Sequence, residues 1–393
     1  MTSTAEERAA LADAVAGLLA DHDPVDSLSA VVDGPTGYRP ETWGLLAEQG
    51  LLGLLVPESL GGSGGCHGDI VVVCTQMGGV LLPGPFISSA VAATSALVGV
   101  CEMTGAPSSA PEELLGDLVA GRRTAALVDG GRLTLTGSAR QGYAVTGTIR
   151  RAVGAATADA FVVTVGTGDE VALTVVDRSA VAVTEVRLAD ATRRAADLRF
   201  DDLAIPPAAI LASGADAAAV LRWTELSTGL AVAADSAGGA RQVLGLATSY
   251  AGTRVQFGRP IGSFQAIKHK LASMYVAVQS SAAVVAEAAD VLDAQTAGGQ
   301  LPGAAMRTVT AAAAHCTSSY VSVAGDAIQT HGGIGFTWEH PCHRYFKRAW
   351  LNQAWLGGEA AMHLAVADLL AADVGSPQPD VGVAGARVGT GIA

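Results

Sequence analysis

The chain has 393 residues, of which 50% are hydrophobic, 5% aromatic and 16% charged, and its formal net charge is −13. This apolar, weakly charged composition excludes an intrinsically disordered chain. The excess of acidic over basic residues, 37 against 24, argues against a nucleic-acid-binding protein, which needs a basic surface to displace counterions from phosphates. No uninterrupted apolar run reaches the ~20 residues that a membrane-spanning helix requires.

The amino-terminal segment and the cysteines predict a cytoplasmic protein. Residues 1–19 carry acidic side chains early and lack the basic start of a secretory signal. The cysteines are odd in number and lack a CxxC spacing, which favours free thiols over disulfides or metal ligands. They are Cys66, Cys74, Cys101, Cys316 and Cys342.

Three blocks of different sequence pattern predict three domains and a tail. Apolar residues recur at helical spacing over 1–122, and long helical patterns return over 213–373. Between them, 123–212 contains short β-type runs separated by Gly and Asp, which predicts an antiparallel sheet. Residues 374–393 are rich in Gly and lack periodicity, so we expect a flexible tail. The abundance of alanine predicts closely spaced helices.

The first informative segment is residues 254–268, with the sequence RVQFGRPIGSFQAIK. We expect one helix to end near Arg254, the chain to turn at Phe257 and Gly258, and a second helix to begin after Ser263 as its N-cap. An arginine at such a helix end can bind a diphosphate through two parallel hydrogen bonds. Taken alone, the segment is equally consistent with an ordinary turn that carries a solvated arginine.

The second informative segment is residues 327–336, with the sequence AIQTHGGIGF. Its three glycines let the backbone come close to a ligand, and free amides there suit an anionic group. The segment is not GxGxxG and follows a predicted helix rather than a strand, which excludes a Rossmann fingerprint. A glycine-rich helix end is the alternative interpretation, and His331 is expected to cap that helix.

Together, in this order and spacing, the two segments resemble the signature regions of the acyl-CoA dehydrogenase family of flavoenzymes. The resemblance extends over nearly the whole chain, including 50–58 and 81–86 in the first block. It implies an α+β, mostly α fold with an N-terminal helical domain (1–122), a middle antiparallel β domain (123–212) and a C-terminal four-helix bundle (213–373). Members of the family usually assemble into dimers or tetramers.

The resemblance also implies a cofactor site for FAD between two subunits. In the family, one face of the site comes from a neighbouring subunit and holds the diphosphate and adenine. The residues that match that face are Arg254, Phe257, Gln265, Gln329, Gly332 and Gly333. Acyl-CoA as the substrate and electron-transfer flavoprotein as the electron acceptor are implied in the same way.

The position of the family's catalytic base departs from the pattern. The family removes the α-proton of an acyl thioester with a glutamate, whose pKa burial can tune. In most branches the matching position here is Leu356, which cannot accept a proton, and Glu359 is three positions away. In another branch the matching residue is Thr228, with Glu225 and Asp235 nearby on the same predicted helix. No catalytic residue is therefore assigned.

The middle domain departs from the family as well. The loop that touches the flavin and the acyl-CoA in the family is replaced by the segment 125–132. The family's Trp-Ile-Thr at the flavin ring matches Arg151, Ala152 and Val153. A cation and two small apolar side chains do not reproduce that contact with the ring.

This pattern of losses resembles the heteromeric acyl-CoA dehydrogenases of actinobacteria, including those that act on steroid side-chain thioesters. Residues that act on a neighbour's FAD remain, whereas those that act on the chain's own flavin are gone. The sequence thus predicts the non-catalytic subunit of an α2β2 enzyme. Two alternatives stay open: a self-sufficient homomer that uses Glu225 or Asp235 as the base, and a scaffold or ligand-binding relic.

The segment 339–348 contains two features for which we expect no functional role. His340 and His343 resemble metal ligands, but Pro341 breaks the helical register between them and a zinc site needs three or four convergent ligands, so no metal is predicted. The basic residues Arg344, Lys347 and Arg348 are predicted to lie on a solvated helix face.

Overall fold

The computed structural model describes residues 3–23, 25–104, 109–129, 133–138, 140, 142–167, 170–295 and 301–373. The predicted flexible tail at 374–393 lies outside these residues. Helices come first, a β-sheet follows, and long helices complete the chain, so the predicted fold class is confirmed.

The N-terminal part is helical and packs around a buried apolar stretch. The first helix begins with a capping box in which Thr4 and Glu7 satisfy each other's backbone amides. The stretch Phe86–Ala93 forms a π-helix in which every residue is buried, and it runs directly into the fifth helix. The helices are α1 (Ala5–His22), α2 (Leu28–Val32), α3 (Pro40–Glu48), α4 (His67–Gly79), α5 (Thr94–Thr104) and α6 (Ser109–Val119).

The middle part is one eight-stranded sheet with the order β6-β7-β3-β2-β4-β5-β8, in which β1 also pairs with β4. Most pairs are antiparallel as predicted, but β1 runs parallel to β4 and β2 touches β4 in parallel. The two longest strands, β3 and β7, did not stand out in the sequence because their apolar residues are interrupted by charged ones. The strands are β1 (Ala125–Val128), β2 (Thr134–Ser138), β3 (Gly142–Val153), β4 (Ala160–Thr167), β5 (Glu170–Asp177), β6 (Ala182–Val186), β7 (Ala195–Ile205) and β8 (Ile210–Ser213).

The C-terminal part is a bundle built around one long central helix. That helix, α7, contacts α8, α9 and α10 within the bundle and α4 of the N-terminal part. A short β-hairpin joins α7 to α8, and each of its strands, β9 (Val255–Gln256) and β10 (Arg259–Pro260), has two residues. The helices are α7 (Gly214–Thr253), α8 (Gln265–Asp293), α9 (Gly303–His331), α10 (Cys342–Trp355) and α11 (Glu359–Asp373).

Small residues let α4 and α7 pack with their backbones in contact. A Cβ atom added to Gly78 would lie 2.0 Å from the carbonyl oxygen of Asp235, and one added to Gly238 would lie 2.0 Å from that of Thr75. No side chain fits at either position, so both helices need glycine where they cross. This crossing confirms the prediction of closely spaced helices and joins the N-terminal part firmly to the bundle.

Two helical segments of the described chain are long and apolar enough to cross a membrane by length and composition alone. The segment 86–103 is 83% buried inside the protein, as expected of a core helix. The other is α8, of which only 28% is buried.

Candidate functional site

The hairpin between α7 and α8 presents an exposed aromatic ring. Phe257 and Gly258 form its two-residue turn, with φ angles of 53° and 78°. A bulky residue with positive φ is disfavoured by steric contacts, and the side chain of Phe257 is also 92% exposed. The contact between rings that the structure gives Phe257 is an edge-on one with Phe264, with centroids 6.1 Å apart.

Two further predicted FAD-binding residues flank the hairpin. Arg254 ends α7, where its amide donates to the carbonyl of Tyr250 at 2.8 Å, and its side chain is exposed. Gln265 begins α8 and is exposed as well. The predicted N-cap is wrong: Phe264 occupies that position, and the hydroxyl of Ser263 instead donates to the carbonyl of Pro260.

The glycine segment lies at the end of α9. Gly332 has a φ of 64°, and a Cβ atom added to it or to Gly333 would meet no atom within 4 Å. Both glycines are exposed, as is Gln329 one turn earlier. The backbone here is open to a ligand, which is the property that binding a diphosphate requires.

Two contacts bring these segments to the same end of the bundle. The rings of Tyr250, one turn before Arg254, and His331 stack with centroids 4.6 Å apart. Lys270 of α8 pairs with Asp326 of α9. The six residues predicted to bind FAD therefore belong to neighbouring segments, and their side chains or glycine backbones are all exposed.

Exposed apolar side chains are concentrated in the same part of the molecule. Among the residues that the structure describes, every exposed large hydrophobic side chain lies between residues 255 and 370. Apolar surface that clusters in this way is typical of an interaction site. The side chains are Val255, Phe257, Tyr275, Val276, Ile334, Phe336, Trp338, Trp350, Leu364 and Leu370.

Two of the three positions that match the family's own flavin contacts are buried, whereas Arg151 is partly exposed. Ala152 and Val153 are 0% and 2% exposed. The cavity between Val153, Gly84, Arg193 and Trp355 has a volume of about 10 Å³, which is room for about one water molecule. Ala152 and Val153 therefore offer no exposed surface to a flavin ring, and the residues that fit FAD are those of the exposed half of the site.

Comparison with known proteins identifies the family. Family models for the acyl-CoA dehydrogenase N-terminal and C-terminal domains match residues 5–107 and 226–370. Acyl-CoA dehydrogenase IpdE2 of Mycobacterium tuberculosis is 34% identical over 88% of this chain and 91% of its own. The chain belongs to the acyl-CoA dehydrogenase family.

Solved structures place it near the heteromeric branch of that family. The ChsE4-ChsE5 complex from Mycobacterium tuberculosis has a chain with a TM-score of 0.83 and 27% identity, covering 96% of this chain and 99% of that one. A chain of the Tcur3481-Tcur3483 steroid ACAD has a TM-score of 0.82 and 25% identity, covering 94% of this chain and 99% of that one.

Neither position of the family's base carries a carboxylate in this acyl-CoA dehydrogenase. Leu356 is 4% exposed, and the nearby Glu359 is exposed at the start of α11 rather than directed into the protein. Thr228 is buried on α7, and its hydroxyl has no hydrogen-bond partner among the described residues. Glu225, one turn earlier, is partly exposed.

Asp235, the second alternative base, is held in a buried network. Its Oδ1 atom accepts hydrogen bonds from Arg193 at 3.1 Å and Arg348 at 3.0 Å, and its Oδ2 atom accepts one from Asn352 at 2.8 Å. The side chain is 1% exposed. Both carboxylate oxygens of Asp235 are thus engaged by hydrogen bonds from the core.

Arg348 contradicts the prediction of a solvated basic face. It is 0% exposed and donates from Nε to Asp190 at 2.7 Å. Burial lowers its pKa, but the charges of Asp235 and Asp190 outweigh that effect and raise the pKa above its usual value. One face of α10 packs into the core. Arg348 lies on that face, whereas Arg344 and Lys347 are partly exposed.

The other members of the network gave no signal in the sequence. Arg193 and Asp190 lie in the connection between β6 and β7, far from Arg348 along the chain, and burial together with Arg348 lowers the pKa of Arg193 to about 10. The hydroxyl and amide of Thr192 both donate to Asp190. The spacing of charges in a sequence does not show which distant pair meets in the core.

His331 behaves as predicted for a helix end. Its Nδ1 atom lies 2.7 Å from the carbonyl of Ala327, one turn back on α9, and the ring is 4% exposed. The side chain thus caps its own helix beneath the two glycines and does not reach the surface.

Proposed function

We propose that this chain is the non-catalytic subunit of an α2β2 acyl-CoA dehydrogenase, in which it completes the FAD site of a catalytic partner subunit. One observation carries the proposal. The residues that match the trans half of the family's FAD site are exposed, whereas Ala152 and Val153, which match the family's own contacts with the flavin ring, are buried. A chain with these two halves can help to bind a flavin only on another subunit.

Each exposed residue has a role in this proposal. The guanidinium of Arg254 and the amides of Gly332 and Gly333 bind the diphosphate, since charge-assisted and backbone hydrogen bonds suit an anion. The ring of Phe257 and the amide of Gln265 contact the nucleotide. Contact with FAD and the partner subunit would also bury the ring of Phe257, which is otherwise left in water.

The chemistry belongs to the partner in this proposal. The partner supplies the glutamate that removes the α-proton of the acyl-CoA, and electron-transfer flavoprotein receives the electrons in the cytoplasm. The similarity to a steroid ACAD and to the ChsE4-ChsE5 complex makes steroid side-chain thioesters the first substrates to compare with fatty acyl thioesters.

Co-expression tests the proposal directly. The partner is an acyl-CoA dehydrogenase chain that has an intact glutamate base and is encoded beside this gene. We expect the single chain to be colourless and the complex to carry one FAD per heterodimer, measured by flavin absorbance. Arg254→Ala and Phe257→Ala should reduce flavin retention in the complex, whereas the exposed Arg199 of β7 offers a control, since Arg199→Ala should not.

Two outcomes favour the alternatives. A yellow, active homomer that loses activity but keeps FAD on Glu225→Gln or Asp235→Asn would support a relocated base. Flavin retention that is unaffected by Arg254→Ala would support a scaffold or relic. The hydrogen bonds of Asp235 to Arg193 and Arg348 argue against that carboxylate as a base.

A further inference from the structure

Three possible metal ligands converge beneath the glycines at the end of α9. His331 is the last residue of α9, Cys342 is the first residue of α10, and His340 lies in the turn between them. Each side chain offers one ligand atom, and the three atoms lie within 4.8 Å of one another. Pro341 separates His340 from His343 in the helical register, whereas the fold brings His340 together with His331.

The hydrogen bonds of His331 leave one ring nitrogen available. Its Nδ1 atom lies 2.7 Å from the carbonyl of Ala327, which accepts the ring proton. Its buried Nε2 atom then carries a lone pair and has no hydrogen-bond partner among the described residues. A histidine that donates one ring N–H to a backbone carbonyl is oriented as metal-binding histidines are.

The thiol of Cys342 lies beside the ring of His331. It is 0% exposed, and its Sγ atom lies 3.4 Å from Nδ1 of His331. The rings of His331 and His340 are 4.3 Å apart between centroids. Burial lowers the pKa of both histidines.

We propose that His331, His340 and Cys342 bind one zinc ion, with a water molecule as the fourth ligand. Two imidazoles and one thiolate are a donor set that zinc favours over harder cations such as magnesium. Zinc binding displaces the thiol proton of Cys342 to solvent, because the thiolate is the ligand form. Burial otherwise raises the pKa of that thiol to about 12.

The geometry requires a small movement. Zn–N distances of about 2.0–2.1 Å and a Zn–S distance of about 2.3 Å place tetrahedral ligand atoms about 3.3–3.7 Å apart. The cluster must therefore contract by about 1 Å at its widest separation. His340 is the ligand that must move, because it is partly exposed in the turn between α9 and α10, and it would give up the hydrogen bond that its Nδ1 atom accepts from the amide of Cys342. The site would hold the start of the Gly332–Gly333 segment in place.

Titration of the chelator-treated full chain with zinc chloride tests this site without FAD or a partner. We expect one zinc per chain by calorimetry, and cobalt(II) should give the near-ultraviolet charge-transfer band of a cobalt–thiolate bond. Cys342→Ser should abolish both signals. Cys316→Ser is the matched control, because Cys316 is also buried in α9 and its thiol donates to the carbonyl of Ser281 away from this cluster.

A second variant separates the loss of a zinc ligand from misfolding of the chain. His340→Gln changes a half-exposed turn residue and should remove zinc binding while the circular dichroism spectrum stays unchanged. Absence of stoichiometric binding to the wild-type chain, or binding that survives both Cys342→Ser and His340→Gln, would overturn the inference. The titration contains no flavin, so neither result decides the proposed FAD role, which is tested separately by flavin retention in the complex.

Discussion

The Nη1 atom of Arg348 lies 3.0 Å from Oδ1 of Asp235, and neither side chain is more than 1% exposed. Arg348 belongs to α10 and Asp235 to α7. The Nε atom of Arg348 also donates a hydrogen bond at 2.7 Å to Asp190, in the connection between β6 and β7. The ion network thus links the bundle to the connection between β6 and β7.

Removal of Arg348 should destabilise the protein strongly. Arg348→Met leaves Asp235 and Asp190 buried with one cation fewer, and the loss of one partner from a buried ion pair typically costs about 3–5 kcal/mol. Urea unfolding measures this loss. Arg344→Met, at a partly exposed position one turn earlier on α10, is the control and should change the free energy of unfolding by about 0.5 kcal/mol or less.

The same measurement separates two roles for Asp235. If the carboxylate is structural, Asp235→Asn lowers the free energy of unfolding, since the amide cannot neutralise Arg193 and Arg348. A catalytic base would instead leave the stability unchanged and remove activity. Unchanged unfolding in Asp235→Asn would contradict the structural role.

The crossing of α4 and α7 gives a second prediction. Gly78→Ala places a Cβ atom 2.0 Å from the carbonyl oxygen of Asp235, so the two helices must separate, and overpacking of this kind typically costs about 1–3 kcal/mol. Gly17→Ala is the matched control, because Gly17 lies inside α1 with no atom within 4 Å of the added methyl group. It should stabilise the chain by about 0.5–1 kcal/mol. Thermal unfolding of both variants tests the sign of each change.

The sequence predicted the order of the three structural blocks because each block has its own periodicity. It also predicted the exposed segments around Arg254 and Gly332, since turns and glycines mark the ends of α7 and α9 locally. It could not predict that Arg348 is buried, because that depends on Asp190 and Asp235 meeting it in space. The cluster of His331 with Cys342 was missed for the same reason.

The pH dependence of stability should reflect a contact between α4 and α8. Burial alone raises the pKa of Asp293, but hydrogen bonds from the His67 ring and from the amides of Gly68 and His67 outweigh it, together with the charge of His67. The pKa of Asp293 therefore lies below its usual 3.8. Because the folded-state pKa is the lower one, this carboxylate stabilises the fold above about pH 4, and that contribution is lost as the pH falls further.

Asp293→Asn should make the free energy of unfolding depend less on pH in the acidic range. We expect the urea midpoint of the wild type to fall more steeply than that of the variant as the pH decreases from about 5 to about 3. Asp290→Asn is the control, because Asp290 lies on the same helix, is 63% exposed and pairs only with Arg8 among the described residues. Parallel midpoint curves for the wild type and Asp293→Asn would show that the carboxylate contributes no linked stability, and the contact with His67 would then be of little energetic consequence.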